Sequence, residues 1–272
     1  MKCGTSTLAS QLSAQPGIFI TTPKEPNFFS DDDIFRRGME WYESLFSTAN
    51  PSDLKGDAST HYTKLPTLPH TVPRVLDAGI QPRIIYMVRD PIDRLVSHFI
   101  HNWTMGQDGY SIDTALDRQP ELIDYSRYGY QLKPWVQAFG QESLLLITLE
   151  EMTEAPQPTL ERICEFLGFD GPVAWDMNVA KQNESASRIR QFPFHKIIFE
   201  SKPATIFRRY AIPRALRDRV KASRQMRVRP TLSRQSIDRL VGIFQADYLE
   251  LSDLLPVSQS VKNIYEQLAD RN

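Results

Sequence analysis

Lys2, Gly4 and the three consecutive hydroxyl residues Thr5, Ser6 and Thr7 stand ahead of a helix-like run in MKCGTSTLASQL, residues 1–12. Gly4 permits a backbone turn that larger residues resist. The amides that follow, in the first turn of a helix, are unpaired donors at the positive end of its dipole. With a lysine charge beside them, these groups make an oxyanion cradle. The stretch lacks the Gly-Lys-Ser/Thr ending of a Walker A loop, because its lysine precedes the glycine, so a magnesium nucleoside triphosphate is disfavoured.

A second anion grip is written in RDPIDRLVSHF, residues 89–99. Asp90 can cap a helix and Pro91 suits its first position. Arg89 then sits at the end of the preceding apolar run, with a fork suited to bidentate phosphate binding. Ser97 lies two turns into the helix and is within reach if Arg89 folds over it. Arg94 either assists or pairs with Asp90 or Asp93, and the plain alternative is that both arginines pair with those aspartates.

The elements that must position these residues follow from hydrophobic patterning. Arg83–Val88, Ser143–Leu149 and the shorter Gly17–Thr21 read as strands, and runs apolar throughout indicate parallel strands covered on both faces. Helical periodicity marks Ser6–Ala14, Phe35–Phe46, Pro91–Met105, Leu122–Phe139, Pro158–Leu167 and Arg234–Leu255. Alternating strands and helices predict an α/β fold with an open, mostly parallel sheet flanked by helices. Its ligands belong at the carboxyl edge of the strands. Beyond about Asn178 the pattern changes to helical pieces punctuated by prolines, and 1–272 is expected to be one domain with an α/β core over 1–190 and a helical extension over 191–272. Lys202 to Arg229 carries ten basic residues against one acidic residue, Asp218. That stretch reads as a solvated helix face or as a patch facing an anionic substrate or a membrane surface.

Composition narrows the class. A charged fraction of 24% and a hydrophobic fraction of 41% are those of a globular protein. The net charge of −1 gives no reason to expect a nucleic-acid partner. No apolar run approaches the roughly 20 residues of a membrane span. The two cysteines, Cys3 and Cys164, make no disulfide framework and no cysteine-rich zinc site, and fit a reducing, cytoplasmic setting.

Taken together, the lysine-glycine-hydroxyl loop and Arg-Asp-Pro-x-x-Arg-x-x-Ser closely resemble the sulfotransferase family, in its bacterial and carbohydrate-sulfotransferase-like branches. KEPNFF at 24–29, GDASTHY at 56–62, RYGYQLKPW at 127–135 and LLLITLEEM at 144–152 resemble successive family blocks over roughly residues 1–190. The resemblance implies a P-loop-like fold and sulfuryl transfer from 3′-phosphoadenosine 5′-phosphosulfate (PAPS) to a hydroxyl or amine of a carbohydrate, lipid or small-molecule acceptor, without a metal. It implies that Lys2 stabilises the leaving phosphate, that Cys3, Gly4, Thr5, Ser6 and Thr7 form the 5′ cradle, and that Arg89 and Ser97 clamp the 3′-phosphate. Tyr128 and the segment KQNESASRIR at 181–190 match nucleotide-side elements, with Lys181, Arg188 or Arg190 as the contact.

The catalytic base is Glu25 or His61 by the same resemblance. Pro26 is expected to hold the backbone beside Glu25 extended. Burial against Phe28 and Phe29 is expected to raise the Glu25 pKa, the plain alternative being that Glu25 pairs with Lys24 or Lys2. Those two rings and Trp103, near the expected site, admit lipid or phenolic acceptors. His98 and His101 read as packing or surface residues. The family places an apolar strand of about six residues ahead of the first loop. Here the chain starts at the loop, so the first strand is expected to be missing or truncated. Two readings stay beside the leading one: a catalytically impaired nucleotide- or anion-binding relative, and a P-loop small-molecule kinase.

Overall fold

A computed structural model describes residues 2–106, 110–178 and 228–271. Helix α1 (Thr5–Ser13) leads to strand β1 (Ile18–Ile20), the short helices α2 (Asp32–Phe35) and α3 (Met39–Ser44), strand β2 (Leu54–Gly56) and a 3₁₀ turn over Thr60–Thr63. Next come α4 (Thr71–Asp77), β3 (Ile84–Val88), α5 (Pro91–Thr104), α6 (Ile112–Arg118), α7 (Glu121–Asp124), α8 (Tyr128–Phe139) and β4 (Leu144–Thr148). Helices α9 (Leu149–Glu154) and α10 (Pro156–Leu167) follow, and two further helices, α11 (Arg234–Leu254) and α12 (Gln259–Ala269), complete the described chain.

Strands β3 and β4 pair in parallel, with Ile84 opposite Leu144 and Val88 opposite Thr148. Their side chains alternate between two cores. Val88, Leu144 and Leu146 pack with α5, α8, α11 and α12, whereas Met87 and Ile147 pack with α1, α9 and α10. Coverage of both faces explains why these strands are apolar throughout, as their sequence predicts.

The expected single sheet is present as two parallel pairs among the described residues: β1 with β2, and β3 with β4. Leu54 N–H donates to the Gly17 carbonyl and Thr21 N–H to the Gly56 carbonyl, so Lys55, between them, turns its backbone groups to the opposite edge of β2. Between the two pairs lies a cavity of about 580 Å³, lined by Lys55 and Gly56 of β2, by residues 84–87 of β3, and by Leu8 and Leu12 of α1. No residue of β4 lines it, which places the unpaired edge of β3 on the cavity.

Three helix boundaries differ from the periodicity. Phe35–Phe46 is broken at Gly38, whose φ of 82° starts α3 afresh. Leu122–Phe139 divides into α7 and α8 because Asp247 of α11 caps the second segment, accepting from Gly129 N–H at 2.9 Å and Tyr130 N–H at 3.0 Å. Close approach of α11 needs Gly129, since a Cβ there would lie 2.6 Å from the Asp247 carbonyl oxygen. α10 begins at Pro156, two residues before the expected Pro158. Short elements without strong periodicity (β2, α4, α6 and α9) escaped the pattern altogether. No described helix is long and apolar enough to cross a membrane.

Candidate active site

The anion loop and the arginine motif meet at the carboxyl ends of the strands. Gly4 is the left-handed N-cap of α1, with φ 87°, and no side chain caps the helix. A Cβ on Gly4 would come within 2.8 Å of Leu149 Cδ1, so only glycine fits this turn. Arg89 leaves β3 and its Nη1 donates to the Lys2 carbonyl at 3.5 Å. The two stretches, 87 residues apart in sequence, are therefore one locus.

Tyr128 acts on Arg89 from behind. Its buried hydroxyl donates to the Arg89 carbonyl at 2.9 Å and accepts from the Arg89 N–H at 3.4 Å. The guanidinium leans on Asp93, with Nη2 3.6 Å from the carboxylate, while its Nε is buried with no partner among the described residues. Ser97, buried on α5, is one turn beyond Asp93 and on the same side of the helix. Asp90 caps α5, accepting from Asp93 N–H at 2.8 Å, and Pro91 occupies the first turn as expected. Burial raises the Asp90 carboxyl, against backbone amides and the nearby Arg271 charge, and it likewise raises Glu150, against the charge of Arg89.

Arg94 does neither thing expected of it. It is fully buried, and its Nη1 donates to Ser126 Oγ at 3.1 Å and the Leu122 carbonyl at 3.4 Å, over the face of Tyr125. It is a core residue because its position on α5, one turn past Asp90, faces α7 rather than the strand ends. His98, stacked on Tyr125 at 5.6 Å, is a core imidazole too; burial and the Arg94 charge push its pKa down to about 2. The Cys3 side chain is buried against Leu8, Met87 and Met152, so Cys3 offers the loop only its backbone. Both cysteines are free thiols.

Glu25 is held at two oxygens. Lys24 Nζ lies 2.8 Å from Oε1, and Thr60 Oγ1 donates to Oε2 at 2.9 Å. Lys24 also donates to Ser6 Oγ at 3.0 Å, tying this carboxylate to the first turn of α1. Burial works against the charge on Glu25, but Lys24 and Thr60 outweigh it and hold the carboxyl below the usual glutamate range. The expectation of a raised pKa is thereby corrected: the lysine next to it in sequence is also its partner in space. The expected extended backbone is corrected as well. Glu25 has φ 61° and Asn27 φ 56°, a conformation costly for side-chain-bearing residues and held here by Asn27 N–H donating to Ser59 Oγ at 2.8 Å.

His61 follows Thr60 in the 3₁₀ turn, and burial together with the Lys64 charge lowers its pKa, against the pull of Glu25. Asp57 anchors this loop, accepting from Ser59 Oγ at 2.6 Å, Ser59 N–H at 2.9 Å and Tyr42 Oη at 3.3 Å, with Tyr62 as a further donor. Burial nevertheless raises the Asp57 carboxyl. Lys64 is drawn down to about 8 by burial and the Arg94 charge, with Glu25 opposing.

Phe28 and Phe29 belong to the core, although Phe29 also lines the cavity between β2 and β3. Both are buried in an aromatic cluster, Phe28 stacked on Tyr42 at 4.8 Å and Phe29 edge-on to Phe28 at 4.9 Å. The Lys24–Glu25 pair was open to the sequence, whereas the Lys24 link to Ser6, Thr60 as a donor to Glu25, and Asp57 as an anchor were overlooked. Asp-x-Ser at 57–59 was the available signal, since an aspartate commonly caps the amide two residues on. Lys181, Arg188 and Arg190 lie outside the described residues.

A family model described as a sulfotransferase domain matches residues 1–196. The chain belongs to the sulfotransferase family. Among its relatives, heparan sulfate glucosamine 3-O-sulfotransferase 3B1 of Mus musculus is 28% identical over 178 residues, 62% of this chain and 44% of the relative. Sulfotransferase 2B1 of Mus musculus is 27% identical over 149 residues, 53% of this chain and 42% of that protein. The chain thus spans less than half the length of these two sulfotransferases. A crystal structure of a sulfotransferase from Alicyclobacillus acidocaldarius superposes with a TM-score of 0.65 at 23% identity, covering 96% of this chain and 94% of that one. That likeness establishes the sulfotransferase fold, α/β with parallel strands and flanking helices.

Proposed function

We propose that this sulfotransferase moves a sulfuryl group from PAPS to a hydroxyl or amine of a carbohydrate, lipid or small-molecule acceptor. The observation that carries the reading is the contact of Arg89 Nη1 with the Lys2 carbonyl, which brings the arginine beside the backbone of the lysine loop at the strand ends. An uncapped helix start at Gly4 and a buried, unpartnered Arg89 Nε fit phosphate groups. When bound, PAPS supplies the sulfuryl group on a phosphate leaving group.

In this reading the residues of the chain divide the work as in-line transfer requires. Lys2, Thr5, Ser6, Thr7 and the α1 amides neutralise the leaving phosphate, which is the electrostatic part of the catalysis. Arg89, with Ser97 on the adjoining helix, holds the second phosphate, and Tyr128 fixes the arginine's backbone. Glu25 takes the acceptor proton. Its lowered pKa keeps it ionised at neutral pH, and the Lys24 link to Ser6 sets it beside the cradle. His61 is the alternative base, reading the same acceptor from the neighbouring turn.

Transfer of label from [35S]PAPS to a panel of glycan, alcohol and phenol acceptors tests the proposal, with titration calorimetry of 3′-phosphoadenosine 5′-phosphate alongside. Labelled product from one acceptor class is the expected result. Nucleotide binding without any labelled product would turn the reading into that of a non-catalytic relative, and no binding at all would overturn it.

A further inference from the structure

Arg229, the last residue of the basic stretch that begins at Lys202, and Arg271 converge on the start of α5. Arg229 Nη2 lies 2.8 Å from Asp93 Oδ1, on the carboxylate whose other oxygen is 3.6 Å from Arg89. Arg271, just past α12, places Nη2 3.0 Å from Asp90 Oδ2, and its carbonyl accepts from Arg234 Nη1 at 3.0 Å, which pins its backbone. Three guanidinium groups thus share the carboxylates of Asp90 and Asp93, with Glu150 as a third anion within electrostatic reach of Arg89, and they gather beside an Arg89 Nε that has no partner among the described residues.

We propose that Arg229 and Arg271 are specificity residues for the donor nucleotide, which join Arg89 in gripping the phosphate remote from the transferred group. This rests on the sulfotransferase reading above. Arg229 is 56% exposed on a partner 35% exposed, a surface pair worth about 0–1 kcal/mol that exchanges easily onto a stronger partner, while Arg271, 36% exposed, reaches from the surface to the largely buried Asp90. A phosphate monoester is the stronger partner, because it is doubly charged and offers planar guanidinium groups bidentate acceptors. Asp90 and Asp93 serve as holding anions: they orient the two side chains towards the start of α5 until the phosphate takes them over.

The test compares adenosine 3′,5′-bisphosphate with adenosine 5′-monophosphate, by calorimetry on the 272-residue chain and its Arg229→Gln and Arg271→Gln variants, with thermal melts as a folding control. Each variant is expected to bind the bisphosphate about 10-fold more weakly, roughly the loss of one charge-assisted contact, with binding of the monophosphate unchanged. Arg271→Lys should recover part of the loss. Equal losses on both nucleotides, or none on the bisphosphate, would overturn the assignment while leaving the donor reading intact. A wild-type chain that binds neither nucleotide would overturn both.

Discussion

The two poles of the site are built by different means. Arg89 stands at the end of a five-residue strand paired along its length with β4 and covered on both faces, and a buried tyrosine hydroxyl grips its backbone. Glu25 follows a three-residue strand paired only with another of three residues, and sits in a left-handed conformation. What holds Glu25 is polar: Lys24, Thr60, Ser59 and the Asp57 anchor beneath them. If Arg89 grips a phosphate as proposed, packing gives it the fixed point such a grip needs. If Glu25 transfers a proton as proposed, exchangeable hydrogen bonds give it adjustable partners.

If the comparison is right, each pole fails in its own way. Glu25→Gln should lower turnover with the best acceptor by about 10³-fold while leaving nucleotide binding unchanged, since general-base catalysis contributes about 10²–10⁴. His61→Ala in parallel should lower it only a few-fold. A base acts deprotonated, so with Glu25 held below the ordinary glutamate range the rate should stay level as pH falls from 7 and drop only under the usual carboxylate pKa of about 4.3. A drop nearer 6 that vanishes in His61→Ala would transfer the role to the histidine. At the other pole, Lys2→Ala and Arg89→Ala should each cost about 10²-fold in kcat/KM for PAPS, the scale of one lost electrostatic donor. Unchanged turnover in both would remove the assigned site.

Legibility in the sequence follows the same division. The Arg89 pole was readable because its signals are local and strong: an apolar run, then Asp-Pro as cap and first turn, then a helix. The meeting of Arg89 with Lys2 could be expected only through the family resemblance. At the Glu25 pole the sequence names the residue but misjudges its state. Its pKa depends on Thr60, 35 residues away, and on whether Lys24 turns inward, neither of which any periodicity encodes. Arg94 shows the opposite error. A charged residue in a functional motif invites a ligand role, yet its helix position turns it into the core, where Ser126 and the Leu122 carbonyl satisfy it. The short elements β2 and α4 were unreadable because three to seven residues hold too little pattern to register.

Among the described residues, the cavity separates β2 from β3 and leaves a β3 edge unpaired in a strand pair covered on both faces. Natural sheets seldom leave such an edge open. A chain extended ahead of Met1 by six apolar, β-branched residues is expected to lay a strand between the two edges. About five added backbone hydrogen bonds at roughly 1 kcal/mol each, before any apolar burial, amount to several kcal/mol. At about 2–4 °C per kcal/mol, Tm should rise by roughly 10 °C. The same extension carrying two prolines supplies the control, because proline cannot donate to the ladder. An equal rise with both would mean that the gap takes apolar mass rather than a strand.

Tyr128→Phe makes the smallest change and isolates the packed pole. It removes one hydroxyl from a fully buried ring and leaves the Arg89 carbonyl without its 2.9 Å donor. An unsatisfied buried acceptor costs about 1–3 kcal/mol, which lowers Tm by a few degrees. The guanidinium itself is untouched, so nucleotide affinity should fall only about 2–5-fold, through looser placement of Arg89 rather than loss of its charge. Arg89→Ala and the Tyr128→Phe, Arg89→Ala double variant should then bind nucleotide alike, since the tyrosine acts only through the arginine. A further loss in the double variant would make Tyr128 a ligand contact in its own right, and the packed pole would then bind through two side chains rather than one.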